Sequence, residues 1–233
     1  LVGSEMCIRD SPSYNTRAAA EEMGLPVFLV QHHYAHILSC MAENEWTTEK
    51  RVIGVSFDGT GYGTDGTIWG GEILLADYDS FTRWGCIEPF AQTGGDASAK
   101  EGWRIAVSLL GKIYGKENAL LIIETLGLCE PKLAKLQFTM EERGINTVQS
   151  TSAGRLFDAV SAILDIRKSS TFEGEASTSL QFAAEKWLDA QKKKIAGSED
   201  FAESGIIADY GELKSISDVC LLYTSPSPRD ISG

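Results

Sequence analysis

All three histidines of the chain fall within the stretch VQHHYAH, residues 30–36. If that stretch is helical, His32 and His36 stand one turn apart on the same face, a spacing that lets two imidazoles grip one cation. His33 then points elsewhere, or pairs with His36 at three residues' separation. The competing reading is a set of core histidines satisfied by hydrogen bonds, and spacing alone does not separate the two. A site with only two histidines needs an oxygen ligand as well. Asp58, at the end of the next apolar run, RVIGVSF, is the residue placed to supply it.

Asp58 opens a concentration of glycine, threonine and acid, SFDGTGYGTDGTIWGGE over residues 56–72. Gly59, Thr60, Gly61, Gly63, Gly70 and Gly71 belong to it. Glycines let a backbone approach a phosphate and offer N–H groups to it, threonine adds a hydroxyl, and an Asp at a strand end can hold a cation that neutralises phosphate charge. The stretch lacks GxxxxGK[ST] and does not open a helix, so it is neither a P-loop nor a dinucleotide fingerprint. A plain hairpin turn is the alternative.

Three smaller features complete the set. Gly94, Gly95 and Asp96 lead into a helix start that carries Arg104; an anion site and a capped helix entrance both fit, and the residues alone favour the cap. Asp158 lies in the apolar stretch GRLFDAVSAIL, where an acid is costly unless paired or turned to a cleft. Gly174 and Glu175 end the loop TFEGE, within reach of sugar hydroxyls.

The elements that must position these residues follow from periodicity. TRAAAEEMG (16–24) reads as a short helix stopped by Gly24, LPVFLV (25–30) as a buried strand, and QHHYAHILSCMAEN as a helix ending near Asn44. RVIGVSF (51–57) reads as a second buried strand and TIWGGEILLADY (67–78) as a third, with the glycine-rich residues forming the loop of a hairpin between them. Helices are expected over 102–128, over 154–164 with Leu156, Phe157, Val160, Ile163 and Leu164 on one face, and from near Glu175, carrying Leu180, Ala183, Ala184, Trp187 and Leu188. Strands followed by helices indicate an α/β architecture.

The 233 residues, 43% hydrophobic, can bury a substantial core. A net charge of −12 argues against a nucleic-acid partner. No apolar run is long enough to cross a bilayer, so no membrane is expected, and a cytoplasmic location follows. Cys7, Cys40, Cys86, Cys129 and Cys220 are scattered singly, without a CxxC pair, which fits a reducing compartment and buried small hydrophobes. Residues 1–11 and 217–233 share no period with the interior and resemble translated adapter sequence. They are expected to be non-native ends of a fragment whose native part spans 12–216.

VQHHYAHILSCMAEN, VIGVSFDGTGYGTDGTIWGGE, GGD followed by WR, TSAGRLFDAVSAIL and TFEGEAS occur in the order in which the HypF family of hydrogenase-maturation carbamoyltransferases carries them. The resemblance runs from about residue 12 to 190. It implies a Kae1-like carbamoyltransferase domain with the actin-like ATPase fold (ASKHA, ribonuclease-H-like), here a first lobe plus part of a second. It implies that His32, His36 and Asp58 hold a divalent metal, zinc, iron or magnesium, in contact with phosphate. It implies further that the 58–71 loop cradles phosphate and that Asp158, Gly174 and Glu175 meet the ribose side of an adenylate. The activity implied is carbamoyl transfer from carbamoyl adenylate, made from carbamoyl phosphate and ATP, to the C-terminal cysteine of HypE. O-carbamoylation of a small-molecule hydroxyl and a silent nucleotide-binding fragment are the alternatives. Tyr34 stands where the family more usually has a histidine, at a position expected to point away from the pair.

Overall fold

The computed structural model describes residues 22–24, 29–47 and 50–196, without the side chains of 192–196. The strand expected at 25–30 and the helix expected at 16–24 lie largely outside these residues, as do the two ends, 1–11 and 217–233. Leu29 and Val30 are exposed and have no regular structure.

The first helix, α1 (His32–Glu43), begins where the expectation put it, with Gln31 as its N-cap. A hairpin follows, β1 (Val52–Tyr62) and β2 (Ile68–Ala76), paired antiparallel. Then come β3 (Phe81–Cys86), β4 (Phe90–Thr93), the short α2 (Ala97–Lys100), α3 (Gly102–Tyr114), α4 (Lys116–Thr125), α5 (Pro131–Glu142), β5 (Thr147–Ser150), α6 (Ala153–Ile163) and α7 (Glu175–Ala196). The result is a mixed α/β fold on an open five-stranded sheet, in the order β1-β2-β5-β4 with β3 also on β2. β3 and β5 pair with different stretches of β2, Glu72–Ala76 and Ile68 respectively, so the sheet forks there.

Two apolar clusters carry the fold. One joins β4 to α3, α4, α5 and α6 through Phe90, Trp103, Ile105, Leu110, Ile123 and Phe138. The other joins α1 to the hairpin through Tyr34, Ile37, Met41, Trp69 and Leu74. The single helix expected over 102–128 is two, broken at Gly115, whose positive φ of 76° ends α3. α5 and the strands β3, β4 and β5 carry little sequence signal: the strands are four to six residues of mixed polarity, and α5, though twelve residues long, mixes polar and apolar residues with only a weak stripe.

Burial departs from expectation in several places. β1 is not buried on both faces: Ile53, Val55 and Phe57 face outward, while Gly54 and Ser56 face inward. The face that α6 buries is Ala153, Asp158, Ala159, Ser161 and Ala162, with Phe157 and Leu164 exposed. Small residues win that face because α6 lies directly on the backbone of the hairpin and of α3, where a Leu or Phe does not fit. Trp187 and Leu188 of α7 are exposed too. Among the cysteines, Cys86 is exposed rather than buried, and Cys7 and Cys220 lie outside the described residues.

At Gly70 of β2 the neighbours are backbone on two sides. A Cβ there would lie 2.6 Å from the Asp58 carbonyl oxygen and 2.8 Å from Ser152 Cα, both backbone atoms that cannot swing aside. Gly70→Ala is therefore expected to destabilise the chain towards the upper end of the roughly 1–3 kcal/mol typical of overpacking. At about 2–4 °C per kcal/mol for a chain of this size, thermal unfolding should fall by several degrees. An unchanged melting temperature would contradict the packing described.

Candidate metal and nucleotide site

α1 delivers the histidines to the end of β1. Gln31 starts the helix by accepting a hydrogen bond from Tyr34 N–H through its side-chain oxygen at 2.9 Å. One turn of α1 then sets His32 and His36 side by side, with Nε2 atoms 3.1 Å apart and rings edge to face. Asp58 reaches across from β1, its Oδ2 2.7 Å from His32 Nε2. Gly61 makes this approach possible: a Cβ there would collide with His33 Cε1 and come 2.9 Å from His32 Cδ2.

His32, His36 and Asp58 thus offer three ligand atoms, all within 4.8 Å of one another. Metal–nitrogen bonds of about 2.0–2.1 Å place two adjacent nitrogens roughly 3–3.5 Å apart, so the donor spacing fits one divalent cation. Two imidazoles and a carboxylate suit zinc or iron better than magnesium, which prefers oxygen. The electrostatics agree. Burial opposes ionisation of Asp58, but the hydrogen bond and charge of His32 and the Gly59 N–H at 2.6 Å outweigh it and hold the carboxyl below its usual range. Burial, with the neighbouring His32, lowers His36. An ionised carboxylate beside a histidine held neutral by burial suits a metal.

His33 is the histidine that does not join the cluster. It is fully buried, and desolvation together with His32 and His36 pushes it down to about 3 against the pull of Asp58. Tyr34 does point away from the pair, yet it matters: it is a core residue whose hydroxyl donates to the Asp77 carbonyl at 2.8 Å.

The stretch 58–71 is not one loop. Asp58–Tyr62 continue β1, with a register irregularity between Phe57 and Gly61, and Gly70 and Gly71 are already in β2. Gly61, Gly63, Gly70 and Gly71 are buried and spend their missing side chains on internal contacts: Gly63 against Trp69 and Asp65, Gly71 against Ile87 and the Thr151 carbonyl. Gly59 and Thr60 are partly open to solvent next to Asp58, with Gly59 N–H donating to Asp58 Oδ1 and the Thr60 hydroxyl donating to Gly59 O, both at 2.6 Å. Beside them stands the first turn of α6. Its cap, Ser152, accepts from Arg155 N–H and donates to Gly59 O at 2.6 Å, and Gly154 lies against Gly59 Cα. A helix start beside open strand backbone favours negative charge. Ser152 was not singled out in the sequence, although a Ser just before GRLFDAV is a cap signal.

Asp158 lies farther along α6, buried, with Arg155 Nε 2.7 Å from its Oδ2, though that N–H is not aligned as a hydrogen bond. Burial raises its carboxyl despite Arg155. Gly174, at a positive φ of 78°, turns the chain into α7. Glu175 is the first residue of α7 and is already engaged: Thr171 N–H and hydroxyl donate to it at 2.6 and 2.9 Å, and Arg167 lies at 3.3 Å. Gly94 and Gly95 are tied to Arg104 and Asn146, and Asp96 caps nothing with its side chain. Arg104 itself pairs with Glu101 at 2.6 Å.

The chain matches a family of known proteins over most of its length. Residues 54–215 match the family described as the carbamoyltransferase Kae1-like domain, second subdomain, and residues 3–43 match the HypF Kae1-like domain. It is 38% identical over 180 residues to the probable carbamoyltransferase HypF of Methanocaldococcus jannaschii, covering 76% of this chain and 23% of that protein. With the carbamoyltransferase HypF of Rhodobacter capsulatus it shares 39% over 176 residues, 72% of this chain and 22% of the relative. Among solved structures it resembles full-length HypF in a phosphate- and nucleotide-bound form, with a TM-score of 0.63 and 37% identity over 72% of this chain and 21% of that one. It thus spans a little over a fifth of the length of these relatives. With an aspartate from within β1 meeting a histidine pair, and with these family matches and relatives, the chain belongs to the HypF carbamoyltransferase family.

Proposed function

We propose that this chain forms part of the carbamoyl-transfer site of a HypF protein, using carbamoyl adenylate made from carbamoyl phosphate and ATP. The acceptor is the C-terminal cysteine of HypE, and the product is the precursor of the cyanide ligand of [NiFe] hydrogenase. The observation that carries the reading is the meeting of His32, His36 and Asp58 beside Gly59 and the start of α6. A thiol acceptor fits the cytoplasm.

In this reading His32, His36 and Asp58 hold a divalent cation, which supplies charge stabilisation for phosphate oxygens. The Gly59–Thr60 backbone and the first turn of α6 bind and orient the phosphate of the adenylate. Asp158, held by Arg155, and Gly174 at the start of α7 face the ribose side; Gly94, Gly95 and Asp96 close the far end of the phosphate path. The partner's sulfur attacks the carbamoyl carbon, the bond from that carbon to the phosphate oxygen breaks, and AMP leaves with the electron pair. No cysteine of this chain takes part, in keeping with the thiol of Cys129, which burial pushes up.

Binding of ATP with Zn²⁺ at a hundredfold excess over the dissociation constant should add about 2.7 kcal/mol to stability. The melting temperature of the full chain should rise by roughly 5–10 °C, and His32→Ala should remove the rise. No shift with either ligand, alone or together, counts against a formed site. With carbamoyl adenylate, faster carbamoylation of a peptide ending in cysteine than of an amino sugar distinguishes HypE-type transfer from O-carbamoylation.

A further inference from the structure

His33 carries a polar atom that neither the metal ligands nor the fold accounts for. The residue is fully buried, and its Nε2 has no hydrogen-bond partner. An orphaned buried nitrogen is costly enough that native structures rarely keep one without a use. Its nearest carboxylate oxygen is Oδ2 of Asp58, 3.9 Å away.

The tautomer of His33 follows from its neighbour. Gln31 must turn its oxygen to Tyr34 N–H, because that backbone donor leaves no other orientation of the amide that avoids N–H facing N–H. The Gln31 NH₂ group therefore faces the Tyr62 carbonyl, at 3.2 Å, and His33 Nδ1, at 3.1 Å. A donor at Nδ1 makes Nδ1 the acceptor. The proton of the neutral ring sits on Nε2, the atom turned towards Asp58. The ring is held in place by Gly61, whose absent Cβ leaves room for its Cε1, and by Trp69, with centroids 6.2 Å apart.

We propose that His33 is a positioning residue for the Asp58 carboxylate: the helix cap Gln31 locks its tautomer so that Nε2–H is presented to Asp58. The inference rests on the metal-site reading. Today His32 Nε2 and Asp58 Oδ2 share a hydrogen bond at 2.7 Å. That nitrogen cannot both carry a proton and ligate a cation, so metal loading removes the donor on Oδ2, while the Gly59 N–H stays on Oδ1 at 2.6 Å. His33 Nε2–H is the adjacent donor left to take over. Closing 3.9 Å to a hydrogen bond needs a shift of about 1 Å, which the partly exposed Asp58 carboxylate can make.

The test uses the full chain, with Zn²⁺ as the probe. Long-range ¹H–¹⁵N correlations of the metal-free protein should show His33 protonated at Nε2. Gln31→Glu keeps an oxygen for Tyr34 N–H but puts an acceptor at Nδ1; it should move the proton to Nδ1 and weaken Zn²⁺ binding by about 10–100-fold, the usual cost of losing a group that supports a ligand. His33→Leu should weaken Zn²⁺ equally, and His33→Gln, which keeps an N–H near the Nε2 position, should restore most of the affinity. A purely space-filling role predicts the opposite order, with Leu at least as good as Gln. An Nδ1–H signal in the wild-type chain, or unchanged Zn²⁺ affinity in Gln31→Glu and His33→Leu, overturns the proposal while leaving the metal site standing. If the wild-type chain takes up no Zn²⁺ at all, the metal reading falls and this role falls with it.

Discussion

The His36→Ala chain should bind Zn²⁺ more weakly by well over the roughly 100-fold that loss of a merely supporting residue costs, and its ATP-dependent stabilisation should vanish with the metal. His36 is half-buried, and its Nε2 faces His32 Nε2 at 3.1 Å, so alanine removes one of three donors and leaves a two-ligand remnant. The fold itself should survive, because His36 belongs to neither apolar cluster. Titration with a zinc-competing chelator reads the affinity, and circular dichroism reads the helix. If His36→Ala retains wild-type affinity, the assignment of the ligands fails. Loss of ATP binding with metal binding intact would mean instead that His36 meets the nucleotide and that the cation lies elsewhere.

The meeting of His32, His36 and Asp58 was legible in the sequence because its geometry is local. Four residues of helix settle the relation of His32 to His36, and an acid just past the apolar run of β1 is a short reach away once β1 packs on α1. What β1 and β2 do with their glycines was not legible. A run of Gly and Thr reads as a loop, yet half of it is strand, because Gly61 and Gly70 are there to let α1 and α6 lie against the hairpin backbone. That use of glycine depends on which element comes back to cover it, and α6 returns some eighty residues later. The same distance hid Ser152, whose cap is ordinary in sequence and becomes part of the site only when its hydroxyl meets Gly59 O. Glu175 shows the converse. An acid beside a glycine looked free for a ligand, but its position at the first turn of α7 commits it to Thr171, whose N–H and hydroxyl hold its carboxyl below the ordinary range.

Glu72 shows how strongly the site depends on a residue that takes no part in its chemistry. Its carboxylate is wholly buried in β2, next to the glycines at the start of that strand. Arg83 of β3 meets it at 2.7 Å, the Thr151 hydroxyl donates to it, and Gly70 N–H lies at 3.3 Å. The same guanidinium stacks on Trp69 at 4.1 Å and reaches Asp65 at 3.1 Å, and Asp65 in turn accepts from Thr67 N–H and Trp69 Nε1–H. One arginine thus ties the hairpin turn, the strand that carries Gly70 and the indole beside His33 into one network. Arg83→Met keeps the length of the side chain and some of the stacking, but it strands a carboxylate in the protein interior. Removing one partner of a buried pair costs about 3–5 kcal/mol, and at about 2–4 °C per kcal/mol the melting temperature should fall by roughly 10 °C. Adding Glu72→Gln to Arg83→Met removes the stranded charge and should recover much of the loss, since a neutral amide can still accept from Thr151 and Gly70. Thermal unfolding of the two variants decides the matter. A double variant no more stable than Arg83→Met would mean that the arginine acts through Trp69 and Asp65 alone, and that the ion pair with Glu72 contributes little to holding β2 against the start of α6.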